Sequence, residues 1–169
     1  MNETNRNPET YLDDITAEGS PRRLQVVRAG LRYFGILTEN ISTIVVWREP
    51  TPLPDAPQSV LGVVSIEGRM LTVLDLARLT AGEAGHNQAA RGTAEHIVAL
   101  RSDEQLAVAV DEVSDVIELS ASELSTQKPL KGSLVSGVFH HENRELELLS
   151  LKELFPTAIQ GRERRRRRF

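Results

Sequence analysis

Short runs of alternating apolar and polar residues fill most of the chain, and one such run occurs twice. Residues 60–79 align without a gap with residues 135–154, so that Gly62 stands opposite Gly137. The other matched pairs are Val63 with Val138, Arg69 with Arg144, Leu71 with Leu146, Leu74 with Leu149, Leu76 with Leu151 and Leu79 with Leu154. A repeat at this spacing predicts two similar halves with a seam between them. Such a seam suits partner binding better than catalysis.

Period-two patterns predict strands in four regions of the chain. They are a hairpin over 24–36 that turns at Ala29 and Gly30, a hairpin over 62–76 that turns at 67–69, two strands over 96–100 and 106–110, and the second copy of the repeat. Many short strands with little helix predict a mainly β fold, built as two closed or nearly closed barrels.

Other segments depart from this alternation. Residues 37–45 carry apolar positions at helical spacing behind Thr38 and predict a short helix, although the β-branched run 43–47 favours a strand. The prolines between Pro50 and Pro57 predict an extended loop without a role in a strand ladder. Residues 76–79 predict a helical turn, 111–116 a helix or irregular turn, and 120–132 a loop.

The two ends and one internal stretch differ in composition from the strand-rich body. Residues 1–21 are polar and predict a disordered arm, residues 80–94 predict a linker, and residues 157–169 form a basic tail. The folded domain is therefore expected over residues 22–156, as one domain or two tightly fused subdomains.

Charge is divided unevenly between body and tail. The net charge of −4 separates into +5 on residues 162–169 and −9 on residues 1–161. An acidic body is a poor platform for nucleic acid, because Lys and Arg contacts to phosphates supply most of the affinity. The arginine tail has three open interpretations, namely contact with an anionic lipid surface, contact with nucleic acid, or simple solvation, and solvation is favoured.

The sequence also allows a prediction of the cellular location of the protein. No apolar run approaches the roughly 20 residues needed to span a bilayer, and residues 1–10 lack the order of a signal peptide. A cytoplasmic location is expected. Cysteine is absent, which excludes disulfides and thiolate chemistry.

No constellation of residues predicts an enzyme. His140, His141 and Glu142 resemble a metal-ligand cluster, but adjacent residues of a hairpin cannot all face one ion, so a turn is favoured. Asp75, Asp111 and Asp115 follow or precede strands, where carboxylates commonly cap backbone amides. A nucleophile elbow and a phosphate-binding glycine loop are also missing. We expect no catalytic residue, metal or cofactor.

Six segments in order give the chain a family resemblance. They are Tyr33-Phe34-Gly35-Ile36, Pro54-Asp55-Ala56-Pro57, Val60-Leu61-Gly62-Val63-Val64, Leu71-Thr72-Val73-Leu74-Asp75-Leu76, Val110-Asp111-Glu112-Val113-Ser114-Asp115-Val116, and the Gly137 hairpin that ends in Leu149-Ser150-Leu151. Their order and spacing over residues 24–156 resemble the CheW family of bacterial chemotaxis coupling proteins. The resemblance implies two interlocked SH3-like five-stranded β-barrels that act as a non-enzymatic scaffold.

The resemblance also implies two binding surfaces. Residues that match the family's kinase-facing end are Ile41, Pro57 and Gly62, and their partner would be the regulatory domain of a CheA-type histidine kinase. Residues that match the groove for the helical tip of a methyl-accepting chemoreceptor are Leu37, Glu67, Leu106, Val108 and Val110. For any one of these aliphatic residues, filling of the barrel interior is the simpler explanation.

One departure from the family pattern bears on function. Glu67 stands where the family very often has arginine before the hairpin glycine, and Arg69 would not restore that contact because neighbouring strand residues face opposite ways. The sequence therefore predicts a scaffold that couples chemoreceptors to a CheA-type kinase in a cytoplasmic complex beside membrane receptors. The alternatives are a CheW-like adaptor of another pathway, such as surface motility, development or second-messenger control, and a nucleic-acid-binding module that uses the tail.

Overall fold

The computed structural model describes residues 20–81, 93–125 and 133–158. Its strands are β1 (Arg22–Ala29), β2 (Arg32–Leu37), β3 (Ile41–Val46), β4 (Val60–Ile66), β5 (Arg69–Asp75), β6 (His96–Leu100), β7 (Leu106–Val110), β8 (Glu112–Leu119), β9 (Val135–His141) and β10 (Arg144–Leu149). Helices α1 (Leu76–Thr80) and α2 (Ala121–Ser125) accompany them, with 3-10 turns at Thr38–Asn40 and Leu151–Glu153 and helical residues at 154–158.

The strands form two five-stranded sheets, and the chain inserts one within the other. The central sheet, in the order β3-β6-β7-β5-β4, comes from the continuous stretch 41–110. The terminal sheet, in the order β8-β1-β2-β10-β9, joins strands from both ends of the fold. The predicted mainly β fold with two interlocked five-stranded units is confirmed.

The sequence repeat corresponds to two equivalent hairpins. Gly62 lies opposite Val73, and a register shift follows before Val60 meets Leu74. In the second copy Gly137 lies opposite Leu148, and the same shift separates that pair from Val135 and Leu149. Each hairpin also adds a parallel neighbour, β7 beside β5 and β2 beside β10. The two halves can therefore be compared position by position.

Apolar residues pack in one cluster between the sheets and in one cluster on the far face of each sheet. Strand β7 shows the alternation: Leu106, Val108 and Val110 belong to the shared cluster, whereas Ala107 and Ala109 belong to the cluster of the central sheet. All five side chains are buried, because a central strand covered on both faces has no polar side.

The helix expected over residues 37–45 is wrong. Only the 3-10 turn Thr38–Asn40 is helical, Thr38 does not occupy the N-cap position, and β3 begins at Ile41. The β-branched residues of this segment pair with β6 along the edge of the central sheet. Their restricted χ1 angles suit a pleated strand better than a helix.

The helix or irregular turn expected over 111–116 is also wrong, because β8 covers most of this segment. Its pairing with β1 shifts register, so that Gln25 meets Val116 while Val27 meets Val113. The bulge disturbs the period-two pattern, which explains why the sequence did not resemble a strand. The side chain of Gln25 stabilises the bulge by donating to the carbonyl of Ser114 at 2.5 Å.

Part of the loop expected over 120–132 forms helix α2 instead. The carboxylate of Glu123 accepts hydrogen bonds from the backbone N–H and the hydroxyl of Ser120, each at 2.8 Å, and the N–H of Glu123 donates back to that hydroxyl. These bonds lower the pKa of Glu123. The Ser-x-x-Glu spacing is a capping box, which was visible in the sequence.

The remaining boundary predictions lie outside the described residues, namely the disordered arm up to residue 19, most of the linker over 80–94, and the basic tail beyond residue 158. In the part of the chain that the structure describes, no helix is long and apolar enough to cross a membrane.

Candidate functional site

The proline-rich segment Pro50–Pro57, here called the proline loop, lies directly on strand β4. The N–H of Thr51 donates to the carbonyl of Val63, and the N–H of Val63 donates to the carbonyl of Thr51, both at 2.9 Å. The expectation that this loop has no ladder role is therefore wrong at Thr51. The proline loop carries the chain from β3, at one edge of the central sheet, to β4 at the other edge. The bridge between Thr51 and Val63 holds the loop against β4.

Gly62 makes this contact possible. Its φ of +143° is a conformation that residues with a side chain rarely adopt, and a Cβ there would lie 2.2 Å from the carbonyl oxygen of Thr51. Only glycine lets the backbone of the loop approach the strand so closely. Gly62 is buried beneath the loop. The role that the structure gives Gly62 is thus to shape this surface.

Further hydrogen bonds hold the end of the proline loop. The N–H of Val60 donates to the carbonyl of Pro57 at 3.0 Å, and the N–H of Asp75 donates to the carbonyl of Ser59 at 2.7 Å. The guanidinium of Arg78, on α1, donates to the carbonyl of Gln58 at 2.9 Å. Leu53 is 43% exposed on the loop that these bonds anchor. The loop is therefore a fixed surface with an apolar side chain available for contact.

Of the three residues matched to the kinase-facing end, the structure brings together two. Pro57 ends the proline loop and Gly62 lies beneath it, while Ile41 starts β3 on the opposite edge strand. Ile41 is half-buried and packs against the cluster shared by the two sheets. Sequence reasoning missed Thr51 and Leu53, because nothing in a proline-rich segment shows which residue will pair with a distant strand.

The residues matched to the receptor groove occupy three different environments. Leu106, Val108 and Val110 are buried in the shared cluster and have almost no exposed surface. Leu37 is half-buried against the cluster of the terminal sheet. Glu67 is exposed in the β4–β5 turn, where its φ of 51° and that of Gly68 at 76° form a tight hairpin turn. The structure does not bring these five side chains together on one surface.

A second concave surface lies between the β1–β2 turn and the β9–β10 turn, and we call it the turn cleft. Both turns lie at the same end of the terminal sheet because β2 and β10 are parallel neighbours. The cleft is lined by Leu31, Arg32, Tyr33, Asn143, Arg144, Glu145 and Glu147. Leu31 is 83% exposed. A large apolar residue directly after a turn glycine was the signal in the sequence that could have marked it.

Arg32 and Glu147 form a two-bond ion pair in the cleft. The guanidinium donates to both carboxylate oxygens of Glu147, with one of the two bonds at 2.6 Å, and also to the carbonyl of Thr80 at 2.6 Å. Glu147 is buried, so this fork-like pairing compensates for the loss of water around its charge. Since Thr80 ends α1, the contact also ties the terminal sheet to the helix that follows β5 of the central sheet.

A second ionic group lies at the start of β8. The guanidinium of Arg28 donates to Glu112 at 3.1 Å, and its bond with that carboxylate raises the pKa of Arg28. The same bond, followed by one from the hydroxyl of Ser114, lowers the pKa of Glu112. Asp111 accepts from the N–H of Gly30 at 2.8 Å and so caps the β1–β2 turn. The predicted capping role of Asp111 is confirmed.

The other carboxylate and histidine predictions have mixed outcomes. Asp75 caps α1 by accepting from the N–H of Arg78 at 3.1 Å, as predicted. Asp115 is exposed on β8, in the bulge rather than at a strand end. Glu142 and Asn143 form the predicted β9–β10 turn, and His140 and His141 precede it on β9. The described ranges contain no group of three His, Cys, Asp or Glu side chains that could hold a metal ion.

The chain is similar to one protein-family model and to two curated proteins from rhizobia. A family model described as a CheW-like domain matches residues 23–158. The chain is 31% identical over 143 residues to the chemotaxis protein CheW of Rhizobium meliloti, covering 80% of this chain and 88% of that protein. It is 25% identical over 140 residues to a probable chemotaxis protein CheW of Rhizobium etli, covering 79% and 87%.

A solved structure supports the same fold. The crystal structure of the scaffolding protein TtCheW from Thermoanaerobacter tengcongensis superposes with a TM-score of 0.64, over 89% of this chain and 91% of that one. The sequence identity between the two is 17%, so the likeness speaks to architecture.

Proposed function

This chain belongs to the CheW family of chemotaxis adaptor proteins, and we propose that it couples chemoreceptors to a CheA-type histidine kinase. The observation that carries the proposal is that the family match spans residues 23–158, nearly the whole described fold. A scaffold of this kind works by holding two partners on separate surfaces of one rigid body. Two sheets with a shared apolar cluster provide such a body.

We propose the proline loop as the contact for the regulatory domain of the kinase. The loop is fixed by backbone hydrogen bonds before any partner arrives, so little conformational entropy is lost on binding. Its exposed Leu53 supplies an apolar contact, and Pro57 and Gly62 set the path of the loop around it. On this proposal Gly62 acts through the shape of the loop.

Calorimetric titration against the regulatory domain of a CheA-type kinase from the same organism tests this contact. Leu53→Ser is expected to weaken micromolar binding about tenfold, because it removes an apolar side chain from the interface. Val46→Ser is the matched control, since Val46 is 72% exposed but lies at the end of β3 outside the proline loop. Binding that survives truncation after Gln160 would show that the arginine tail is dispensable. Absence of binding with every such kinase of the organism would refute the coupling function.

For the receptor tip we propose Leu37 and Glu67 as two separate contact points, one on the terminal sheet and one in the β4–β5 turn. Leu106, Val108 and Val110 act on this proposal only through the packing of the shared core. Leu37→Ser is expected to weaken binding of a chemoreceptor cytoplasmic fragment without weakening binding of the kinase. Glu67→Arg tests the second candidate function, an adaptor of a non-chemotaxis pathway, which the exposed carboxylate of Glu67 favours. If Glu67→Arg strengthens receptor binding tenfold or more, the native chain serves receptors of a different charge from the family's usual partners.

A further inference from the structure

We propose that the turn cleft is a docking site for a segment of a partner protein that carries a carboxylate next to an aliphatic side chain. The cleft belongs to the terminal sheet, whereas the proline loop and Glu67 belong to the central sheet. The proposal therefore goes beyond the coupling function and does not depend on it.

The apolar half of the site is Leu31. Turn positions are usually occupied by small or polar residues that favour the backbone geometry, and a leucine there contributes nothing to a core. Its 83% exposure is the largest among the large apolar side chains of the described residues. An aliphatic group of a partner would remove this surface from water.

The charged half of the site is Arg144. Its guanidinium lies over the ring of Tyr33, with 4.9 Å from Cζ to the ring centroid. Within residues 20–81, 93–125 and 133–158, no carboxylate lies within ion-pair distance of this guanidinium. An arginine stacked on an aromatic ring keeps its in-plane N–H donors available for a carboxylate.

The acidic residues of the cleft already have other neighbours. Both carboxylate oxygens of Glu147 accept from Arg32, and the carboxylate of Glu145 lies 3.8 Å from Nε2 of His140. Among the described residues Arg144 is therefore the cationic group of the cleft without an ion-pair partner, since Glu112 acts on it only at longer range. Charge complementarity favours an acidic ligand. Tyrosine and arginine, which meet at this concave surface, are also residue types in which interface hot spots are enriched.

The other half of the molecule provides an internal comparison. By the register of the two parallel strand pairs, Arg69 is equivalent to Arg144 and Gln105 is equivalent to Tyr33. Asp103 takes the position equivalent to Leu31. The equivalent turn region thus has an arginine but lacks the aromatic ring, and its exposed apolar side chain, Met70, takes the position of Glu145 rather than that of Leu31. Arg69→Gln is accordingly the matched control for Arg144→Gln.

The test is a titration of the full-length, 15N-labelled chain followed by amide chemical shifts. The probe is a capped peptide, Gly-Ser-Ala-Leu-Asp-Glu-Leu-Ser-Gly, and its control has Asn and Gln in place of Asp and Glu. We expect saturable shifts at Leu31, Tyr33 and Arg144 with the acidic peptide, and binding about fivefold weaker with the neutral one. Arg144→Gln and Leu31→Ser should each weaken binding of the acidic peptide about fivefold, and Arg69→Gln should leave it unchanged.

Three results would overturn the proposal. Equal binding of the two peptides would mean that Arg144 recognises no carboxylate. Shifts that saturate elsewhere on the chain would place the peptide site outside the cleft. Shifts of the cleft residues on dilution without peptide, with no further change on adding it, would identify a second copy of this chain as the occupant.

Discussion

Replacing Gly62 with alanine should break the contact between the proline loop and β4. The new Cβ would lie 2.2 Å from the carbonyl oxygen of Thr51 and 2.6 Å from its carbon. Those atoms are backbone, so no rotation of a flexible side chain can relieve the overlap. The loop must move away, and the two hydrogen bonds between Thr51 and Val63 are lost.

The expected cost combines three contributions. Holding a residue with a side chain in a sparsely populated backbone conformation costs about 1–3 kcal/mol. Losing two backbone hydrogen bonds costs about 0.5–1.5 kcal/mol each. Alanine also restricts the unfolded chain, which offsets roughly 0.4–1 kcal/mol. The net loss is about 1–5.5 kcal/mol with a midpoint near 3 kcal/mol, a large share of the roughly 5–15 kcal/mol that stabilises a typical domain.

Urea unfolding followed by the fluorescence of Trp47 measures this loss. Trp47 is the only tryptophan of the chain and lies between β3 and the proline loop. With a dependence on urea of about 2 kcal/mol per molar, a loss of 3 kcal/mol lowers the midpoint by about 1.5 M.

Gly68→Ala is the matched control for this substitution. Gly68 also has a positive φ, of 76°, but no atom lies within 4 Å of the position that its Cβ would take. Gly68→Ala should therefore lower the free energy of unfolding only by the cost of the positive-φ backbone conformation. Gly68→Asn should lower it less, since Asn143 occupies the equivalent turn position at a φ of 63°. Equal destabilisation by Gly62→Ala and Gly68→Ala would show that the close contact of Gly62 with Thr51 does not contribute to stability.

Three further predictions concern polar contacts. Arg32→Ala should lower the free energy of unfolding by about 2–4 kcal/mol, because it leaves the buried carboxylate of Glu147 without its guanidinium partner. The double variant Arg32→Ala with Glu147→Gln should recover part of this loss. If it recovers none, the two side chains do not stabilise the fold as a pair. The pKa of Glu112 is lowered by Arg28, so the stability that this pair contributes is present at neutral pH and is lost as the pH falls through the lowered pKa. The native chain should accordingly be more stable than Glu112→Gln by less than about 1 kcal/mol at pH 7, and this difference should vanish at low pH. A difference that grows on acidification would contradict a stabilising contact between Arg28 and ionised Glu112. Asp75→Ala should cost about 1 kcal/mol in thermal or urea unfolding through loss of the α1 cap, Asp75→Asn should cost less, and equal costs would show that charge rather than capping matters.

The sequence alone determined the architecture in outline. Period-two alternation located the hairpins at Gly30 and Gly68, and the repeat of residues 60–79 in 135–154 predicted two equivalent units. These signals succeed because strand faces and tight turns impose local requirements on each residue. The capping function of Asp75 could be predicted for the same reason, since a cap bonds only to residues that follow it closely in the chain.

Tertiary structure alone decided which surfaces a partner can reach. Leu106, Val108 and Val110 have the pattern of any buried strand, and only the second sheet packed against them shows that they form a shared core. The bridge from Thr51 to Val63 and the stacking of Arg144 on Tyr33 join residues that are distant in sequence, and local pattern carries no information about such pairs. Burial, strand pairing across an edge and the availability of a charge are properties of the assembled sheets, which is why only the structure could establish them.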